Sequence, residues 1–135
     1  MSATTGFRIA AVVLVLFAVL HTIGFLSFKP PTTEGMAVRD GMMNVHFQVK
    51  GSDFSYGNFY RGFGLSITAS GLFAALVAWY LAKHTAPPIG WGLCGLQIVG
   101  LILSVMYFAI PPAVFSAVLA ALLGWSTWKS QMALK

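Results

Sequence analysis

Charged residues are scarce in this chain of 135 residues. Lys, Arg, Asp and Glu together make up 8% of it, against about 25% in an ordinary soluble domain. Apolar residues reach 58% and the mean hydropathy is +0.81, more apolar surface than a water-soluble core of this size can absorb. The eight Lys and Arg residues are scattered singly, so no basic stripe follows a phosphate backbone, and nucleic acid is excluded as a partner.

Cysteine and the common catalytic motifs are also nearly absent. Cys94 is the only cysteine, which excludes an intramolecular disulfide and a thiolate metal cage, and its apolar surroundings predict a packing role. The sequence has no Gly-x-Ser-x-Gly, phosphate-loop or His-Glu-x-x-His motif and no paired carboxylates. No metal site is predicted, and the sequence leaves open whether the chain is an enzyme.

Four long apolar segments fill most of the chain. They cover residues 9–28, 60–81, 89–110 and 112–128, and at about 1.5 Å of rise per residue each can cross roughly 30 Å of hydrocarbon. The pattern predicts an all-α membrane protein in which residues 1–135 form a single domain, an antiparallel bundle of four transmembrane helices. The first run is longer than the about 7–15 residues of a signal-peptide core, so we interpret it as a retained helix.

The loop at residues 29–59 is too long for a simple connection. Four of its apolar residues fall at helical spacing and favour a short interfacial helix: Val38, Met42, Val45 and Val49. Residues 43–50 also alternate between apolar and polar side chains, as a strand would. A lone strand has no partner for its backbone, so the helix is preferred.

The orientation is predicted from the residues outside the spans. Four crossings place both termini on one side, side A, and the loop at 29–59 on the other, side B. Lys and Arg divide evenly between the two sides, so the positive-inside rule alone does not decide. The four tryptophans lie near side A and the three acids, Glu34, Asp40 and Asp53, near side B, which favours a cytoplasmic side A.

Polar side chains inside the spans gather toward side B. His21, Ser66 and Ser104 lie about 9–10 Å below that boundary by helical rise, and Tyr60, Arg61 and Tyr107 lie nearer the interface. Because intramembrane polar groups often mark function, a cavity is predicted here. The ligand-binding candidates are His21, Arg61, Ser66, Ser104 and Tyr107, and the catalytic candidates are His21, His46 and Tyr60.

His21 also has a purely structural interpretation. A neutral imidazole can donate a hydrogen bond to Ser66 or to a backbone carbonyl of a neighbouring helix. A haem alternative uses His21 and His46 as a bis-histidine pair, since imidazole binds iron. Only the identity of the two ligands favours haem, so no cofactor is predicted.

Small residues recur every four positions on two spans, where close backbone approach favours helix contact in lipid. They are Gly62, Ser66, Ser70 and Ala74 in the second span, and Ala113, Ala117 and Ala121 in the fourth. These two seams are predicted to contact other helices of the chain, a second copy in a homo-oligomer, or a partner membrane protein.

Three short stretches carry a family resemblance. They are residues 21–24 (His-Thr-Ile-Gly), 43–47, and 58–64, which read Asn-Phe-Tyr-Arg-Gly-Phe-Gly. Together they resemble a group of small four-helix bacterial integral membrane proteins of uncharacterised function. The resemblance covers the first half of the chain. It implies an integral protein of a bacterial inner membrane, with no activity to carry over.

Three functional hypotheses follow. The first is a binding module that holds a small lipophilic molecule, such as a quinone, sterol-like lipid or isoprenoid, in a cavity near the first loop. The second is a membrane enzyme acting on such a molecule, with His21 as general acid or base. The third is an accessory subunit of a membrane complex, whose small-residue seams contact its partner.

Overall fold

The computed structural model describes residues 1–108 and 110–134, which contain five helices and one antiparallel hairpin. In chain order they are α1 (Ala3–Ser27), α2 (Thr33–Asn44), β1 (His46–Val49), β2 (Ser52–Ser55), α3 (Tyr56–Leu81), α4 (Pro87–Tyr107) and α5 (Ile110–Met132). Helices α1, α3, α4 and α5 are long and apolar enough to cross a membrane. The predicted helical fold class, with four such segments, is confirmed at this level.

The chain forms two compact units. Unit 1 consists of Met1–Phe17 and Gly71–Lys135, and unit 2 consists of Ala18–Ser70. In unit 1, four helices contribute to one core, which includes Phe7 and Leu14 of α1, Ala78 of α3, Leu93 and Cys94 of α4, and Leu119 and Leu123 of α5. The Cys94 thiol donates to the carbonyl oxygen of Ala120, 3.4 Å away.

Helix α5 approaches two other helices of unit 1 through glycine. A Cβ atom on Gly6 of α1 would collide with Ser126, and one on Gly90 of α4 would collide with Thr127. Both hydroxyl residues are fully buried, and each donates to a carbonyl four residues earlier in α5. Three helix backbones therefore come close together at one end of unit 1, because two of them lack side chains there.

The predicted alanine seam of α5 is not its packing face. Its buried residues are Ser116, Leu119, Leu123, Ser126 and Thr127, whereas Ala117 and Ala121 are exposed. The leucines fill the core and the glycines of α1 and α4 provide the close approach. The small residues of α5 that do lie at helix contacts are Ser116, Ser126 and Gly124, and not the predicted alanines.

The preference for helix throughout residues 36–50 is wrong in its second half. Helix α2 ends at Asn44, and His46–Val49 forms a strand that pairs with Ser52–Ser55. The predicted strand does have a partner for its backbone, because Ser52–Ser55 follows it after a two-residue turn. Lys50 and Gly51 both have positive φ values, 49° and 84°, as a type I′ hairpin turn requires.

Two side-chain caps fix the ends of this segment. The Thr32 hydroxyl accepts from the backbone N–H of Gly35 at the start of α2, and the Ser55 hydroxyl accepts from the N–H of Asn58 at the start of α3. Each satisfies a backbone donor that has no partner within its helix. Strand β2 therefore runs directly into α3 with no linker between them.

Candidate functional site

His21 joins α1 to α3 within unit 2. Its Nε2 donates to the carbonyl oxygen of Gly64, 3.1 Å away, and the donor role follows because a carbonyl can only accept. The His21 ring stacks on Phe25, with centroids 5.7 Å apart. The Phe25 ring occupies the space where a Gly64 side chain would stand, so the glycine lets the ring and the imidazole reach the backbone of α3.

A second polar contact between the same two helices joins Thr22, the residue after His21, to Thr68, one turn along α3 from Gly64. The Thr22 hydroxyl donates to Ala18 and lies 2.8 Å from the Thr68 hydroxyl; because Thr22 has one proton, Thr68 is the donor between the two. The Phe25 and Tyr60 rings form a third contact between the two helices, with their centroids 5.2 Å apart. The face of α3 that contacts α1 in unit 2 therefore runs through Tyr60, Gly64 and Thr68.

That face is not the one predicted from the small residues of α3. Gly62, Ser66 and Ser70 are exposed, and a Cβ atom on Gly62 would meet nothing within 4 Å. Two residues along a helix turn it by about 200°, so Gly62, Ser66 and Ser70 lie away from the face of α3 that contacts α1 in unit 2. The fourth residue of the predicted seam, Ala74, is 2% exposed and belongs to the core of unit 1.

The other predicted site residues lie in different environments. Ser66 donates to the Phe63 carbonyl of its own helix, and Arg61 is exposed. Ser104 and Tyr107 belong to unit 1, where Ser104 is buried and Tyr107 is 69% exposed. Within unit 2 the structure therefore brings His21 to Gly64 and Tyr60 to Phe25, and Ser66 bonds within its own helix.

Removing the imidazole should cost little stability. Interhelical hydrogen bonds in membrane proteins contribute about 0.6 kcal/mol on average, so His21→Leu is expected to lower the free energy of unfolding by about that amount. Reversible unfolding in mixed micelles measures the change. Ser66→Ala is the matched control, since its hydroxyl bonds only within α3. Equal stabilities for the two variants would show that the bond to Gly64 contributes nothing.

His46 has a carboxylate partner that the sequence did not suggest. Its Nδ1 lies 2.6 Å from Oδ2 of Asp53 on the neighbouring strand, and both side chains are about half exposed. The strand register pairs Gln48 with Asp53 and His46 with Ser55, so His46 and Asp53 are diagonal neighbours on one face. His46 and Asp53 are seven positions apart in the sequence, and only the hairpin brings them together. The pair could not be predicted because the hairpin was not.

Five aromatic residues of unit 2 form a cluster that includes Phe47 and Phe54 on the other face of the hairpin. The Phe47 ring contacts Phe54, Tyr56 and Phe59, and Phe59 contacts Phe63 edge-on. Gly57 lies against Met43. All three stretches that carry the family resemblance thus contribute to the packing of unit 2, at His21 with Gly64 and at Phe47 with Phe59.

Unit 1 contains an apolar groove that the sequence analysis did not predict. It has a volume of about 670 Å³, within the roughly 300–1,000 Å³ typical of small-molecule sites. Its lining residues come from two helices: Phe73, Leu76, Val77 and Tyr80 of α3, and Ile89, Gly92 and Leu93 of α4. Apart from the Tyr80 hydroxyl every lining side chain is apolar, and none of the predicted ligand-binding residues lines it.

The described residues do not form a cluster of metal ligands. Among residues 1–108 and 110–134, no three His, Cys, Asp or Glu side chains gather in a way that would hold a metal ion. The haem alternative at His21 and His46 stays a prediction.

No protein-family model, curated protein or solved structure matches this chain. The resemblance to small bacterial membrane proteins therefore also stays a prediction.

Proposed function

We propose that this chain is an integral membrane protein that binds a lipophilic molecule, with the apolar chain of that molecule lying in the α3–α4 groove of unit 1. The observation that carries the proposal is the groove of about 670 Å³ lined by Phe73, Leu76 and Gly92 with four neighbours. The groove extends along α3 from Phe73 to Tyr80, about 10 Å by helical rise. An open apolar groove of this length suits part of an acyl or isoprenoid chain.

The outer surface of the helices supports a bilayer setting. Large apolar side chains are exposed along all four long helices, among them Val12, Phe63, Val105 and Val114, each more than half exposed. Soluble monomers rarely expose apolar patches of more than a few hundred Å². In a bilayer the same faces contact lipid, and a lipophilic ligand reaches the groove from the membrane without crossing water.

Gly92 makes the proposal testable by filling the groove. A Cβ atom on Gly92 would meet nothing within 4 Å, so Gly92→Phe adds a ring to the groove without a clash at its base. The purified full chain is labelled with a phosphatidylcholine that carries a photoactivatable diazirine in its acyl chain. Labelled peptides from α3 and α4 are expected in the wild-type protein, and at about one tenth of that yield in Gly92→Phe, a loss of about 1.4 kcal/mol in binding.

The matched control lies three residues along α4. Gly95 also has nothing within 4 Å of a built Cβ atom but does not line the groove, so Gly95→Phe should be labelled like the wild type. Labelling that unlabelled lipid cannot compete away, or that Gly92→Phe leaves unchanged, would mean that the lipid merely coats the helices, and the proposed function would be wrong.

A second candidate function is favoured by the His46–Asp53 pair. A carboxylate 2.6 Å from Nδ1 holds the imidazole so that Nε2 points away from the pair, the arrangement that a general base requires. A membrane enzyme built on this chain would therefore use His46 in preference to His21, whose Nε2 is bonded to α3. Loss of turnover of a bound lipid in Asp53→Asn, with binding retained, would favour the enzyme.

A further inference from the structure

A second recess of unit 1 has the opposite character from the apolar groove. Its volume is about 430 Å³, and it lies between the N-terminal residues, the turn after α3 and the last turns of α5. Lys83 and Lys129 supply positive charge at its wall, and Ser2, Thr4, Thr85 and Ser130 line it with hydroxyl groups. Ser130 donates its proton to the Thr127 carbonyl and Ser2 is hydrogen-bonded to Thr5, so the donors for a ligand are the two lysine ammonium groups and the hydroxyls of Thr4 and Thr85. Among the described lining residues none carries a carboxylate side chain, and such a set of donors suits an anion.

The distribution of charged residues in the chain also favours an anion in this recess. Glu34, Asp40 and Asp53 are the only acidic side chains, and all three belong to unit 2, whereas unit 1 carries Arg8, Lys83, Lys129 and Lys135. The two lysines of the recess therefore have no acidic side chain in their own unit to neutralise them. Lys129 also lies over the Trp128 ring, with its Nζ 5.6 Å from the ring centroid.

The basic recess and the apolar groove meet at one aromatic pair. Tyr80 lines the groove and His84 lines the basic recess. These two rings stack with their centroids 4.2 Å apart, one helical turn from each other at the end of α3. A molecule with an apolar chain and an anionic head would place the chain beside Tyr80 and the head beyond His84.

The tryptophans place this junction at the level where lipid head groups lie. Trp79, Trp91 and Trp128 are nearly half exposed, and they stand at the end of α3, the start of α4 and the end of α5, around the same end of unit 1 as Lys83 and Lys129. Exposed tryptophan is typical of the membrane–water interface, and clustered lysines at that level attract anionic lipid.

We infer that unit 1 binds an anionic phospholipid, with an acyl chain in the α3–α4 groove and the head-group phosphate in the recess of Lys83 and Lys129. This inference rests on the proposed function, because it assigns the chemical class of the molecule whose chain fills the groove. Lys83 and Lys129 are the residues that select for charge, and Gly92 with Leu76 and Phe73 receives the chain.

The test uses two photoactivatable lipids with identical acyl chains, phosphatidylglycerol and phosphatidylcholine, on the full chain in detergent. Wild-type protein is expected to reach half-maximal labelling at a lower concentration of phosphatidylglycerol. At about fivefold in affinity for each lysine near a lipid phosphate, Lys83→Gln and Lys129→Gln should each raise that concentration about fivefold. The effect on phosphatidylcholine should be smaller, because its choline cation offsets the charge of its phosphate. Lys29→Gln, with the same charge change in unit 2, is the control and should match the wild type.

Each outcome decides between the two proposals. If Gly92→Phe blocks labelling but wild-type protein binds both lipids equally, or if Lys29→Gln weakens phosphatidylglycerol as much as the recess variants do, the head-group inference is wrong and the lipophilic function stands. If Gly92→Phe leaves labelling by both lipids intact, the proposed function fails and the inference fails with it. If wild-type protein shows no preference for phosphatidylglycerol but binds inorganic phosphate, and Lys83→Gln abolishes that binding, the recess binds free phosphate and the lipid assignment is overturned.

Discussion

Arginine in place of Val99 is expected to prevent stable membrane insertion of this chain. Val99 lies near the middle of α4, 12 residues after Pro87 and eight before Tyr107, and its side chain is 53% exposed. If that face contacts hydrocarbon, a centrally placed arginine costs about 2.5–3.5 kcal/mol in apparent insertion free energy. In water the same substitution on an exposed helix face would change stability by less than about 0.5 kcal/mol.

Val38→Arg is the matched control for Val99→Arg. Val38 is 64% exposed on α2, outside the four candidate spans, and arginine is at least as good a helix former as valine. Alkaline extraction of membranes, combined with quantification of full-length protein, should show Val38→Arg retained like the wild type and Val99→Arg depleted. Equal retention of the two variants would mean that α4 does not face lipid at Val99, and the bilayer setting of the groove would be lost.

A methyl group added at Gly90 is expected to destabilise unit 1 by about 1–3 kcal/mol, the usual cost of overpacking a filled core. The built Cβ atom would overlap the Thr127 side chain and come within 3.1 Å of the Thr127 Cβ atom. Thr127 cannot rotate away without loss, because it is fully buried and its hydroxyl donates to Leu123 at 2.7 Å. Helices α4 and α5 would have to separate.

The same substitution at Gly95 should have the opposite sign. A Cβ atom there meets nothing within 4 Å, so Gly95→Ala keeps only the backbone-entropy gain of about 0.5–1 kcal/mol that alanine has over glycine in a helix. Unfolding midpoints in one detergent compare the two variants. The double variant Gly90→Ala with Thr127→Ala should recover part of the loss; if it is no more stable than Gly90→Ala alone, contact with Thr127 is not the cause.

The spans could be predicted from sequence because each is defined by its own residues. Length and hydropathy over about 20 positions decide whether a segment can cross a bilayer, and no information from elsewhere in the chain is required. The hairpin was different. Residues 43–50 showed the alternation of a strand, but their partner, residues 52–55, reads Ser-Asp-Phe-Ser and contains no β-branched aliphatic residue that would have marked it as a strand.

The candidate sites depended on which helix faces meet, and helical periodicity alone did not identify the face of each helix that packs. On α3, residues four apart are small or polar both at Gly62, Ser66 and Ser70 and at Gly64 and Thr68, and only contact with His21 and Thr22 of α1 selects the second set. The groove posed the same difficulty. Gly92 and Gly95 have the same side chain, so the sequence does not distinguish them, but only Gly92 lines the α3–α4 groove.

The direct junction between β2 and α3 has a practical consequence. Since Ser55 is 1% exposed and caps the helix that begins at the next residue, the hairpin has no hinge at its base and should rotate together with α3. Ser52 at the tip is exposed, whereas Cys94, the sole native thiol, is buried. A fluorophore attached to the variant Ser52→Cys would therefore move with α3 and report any change in the tilt of that helix.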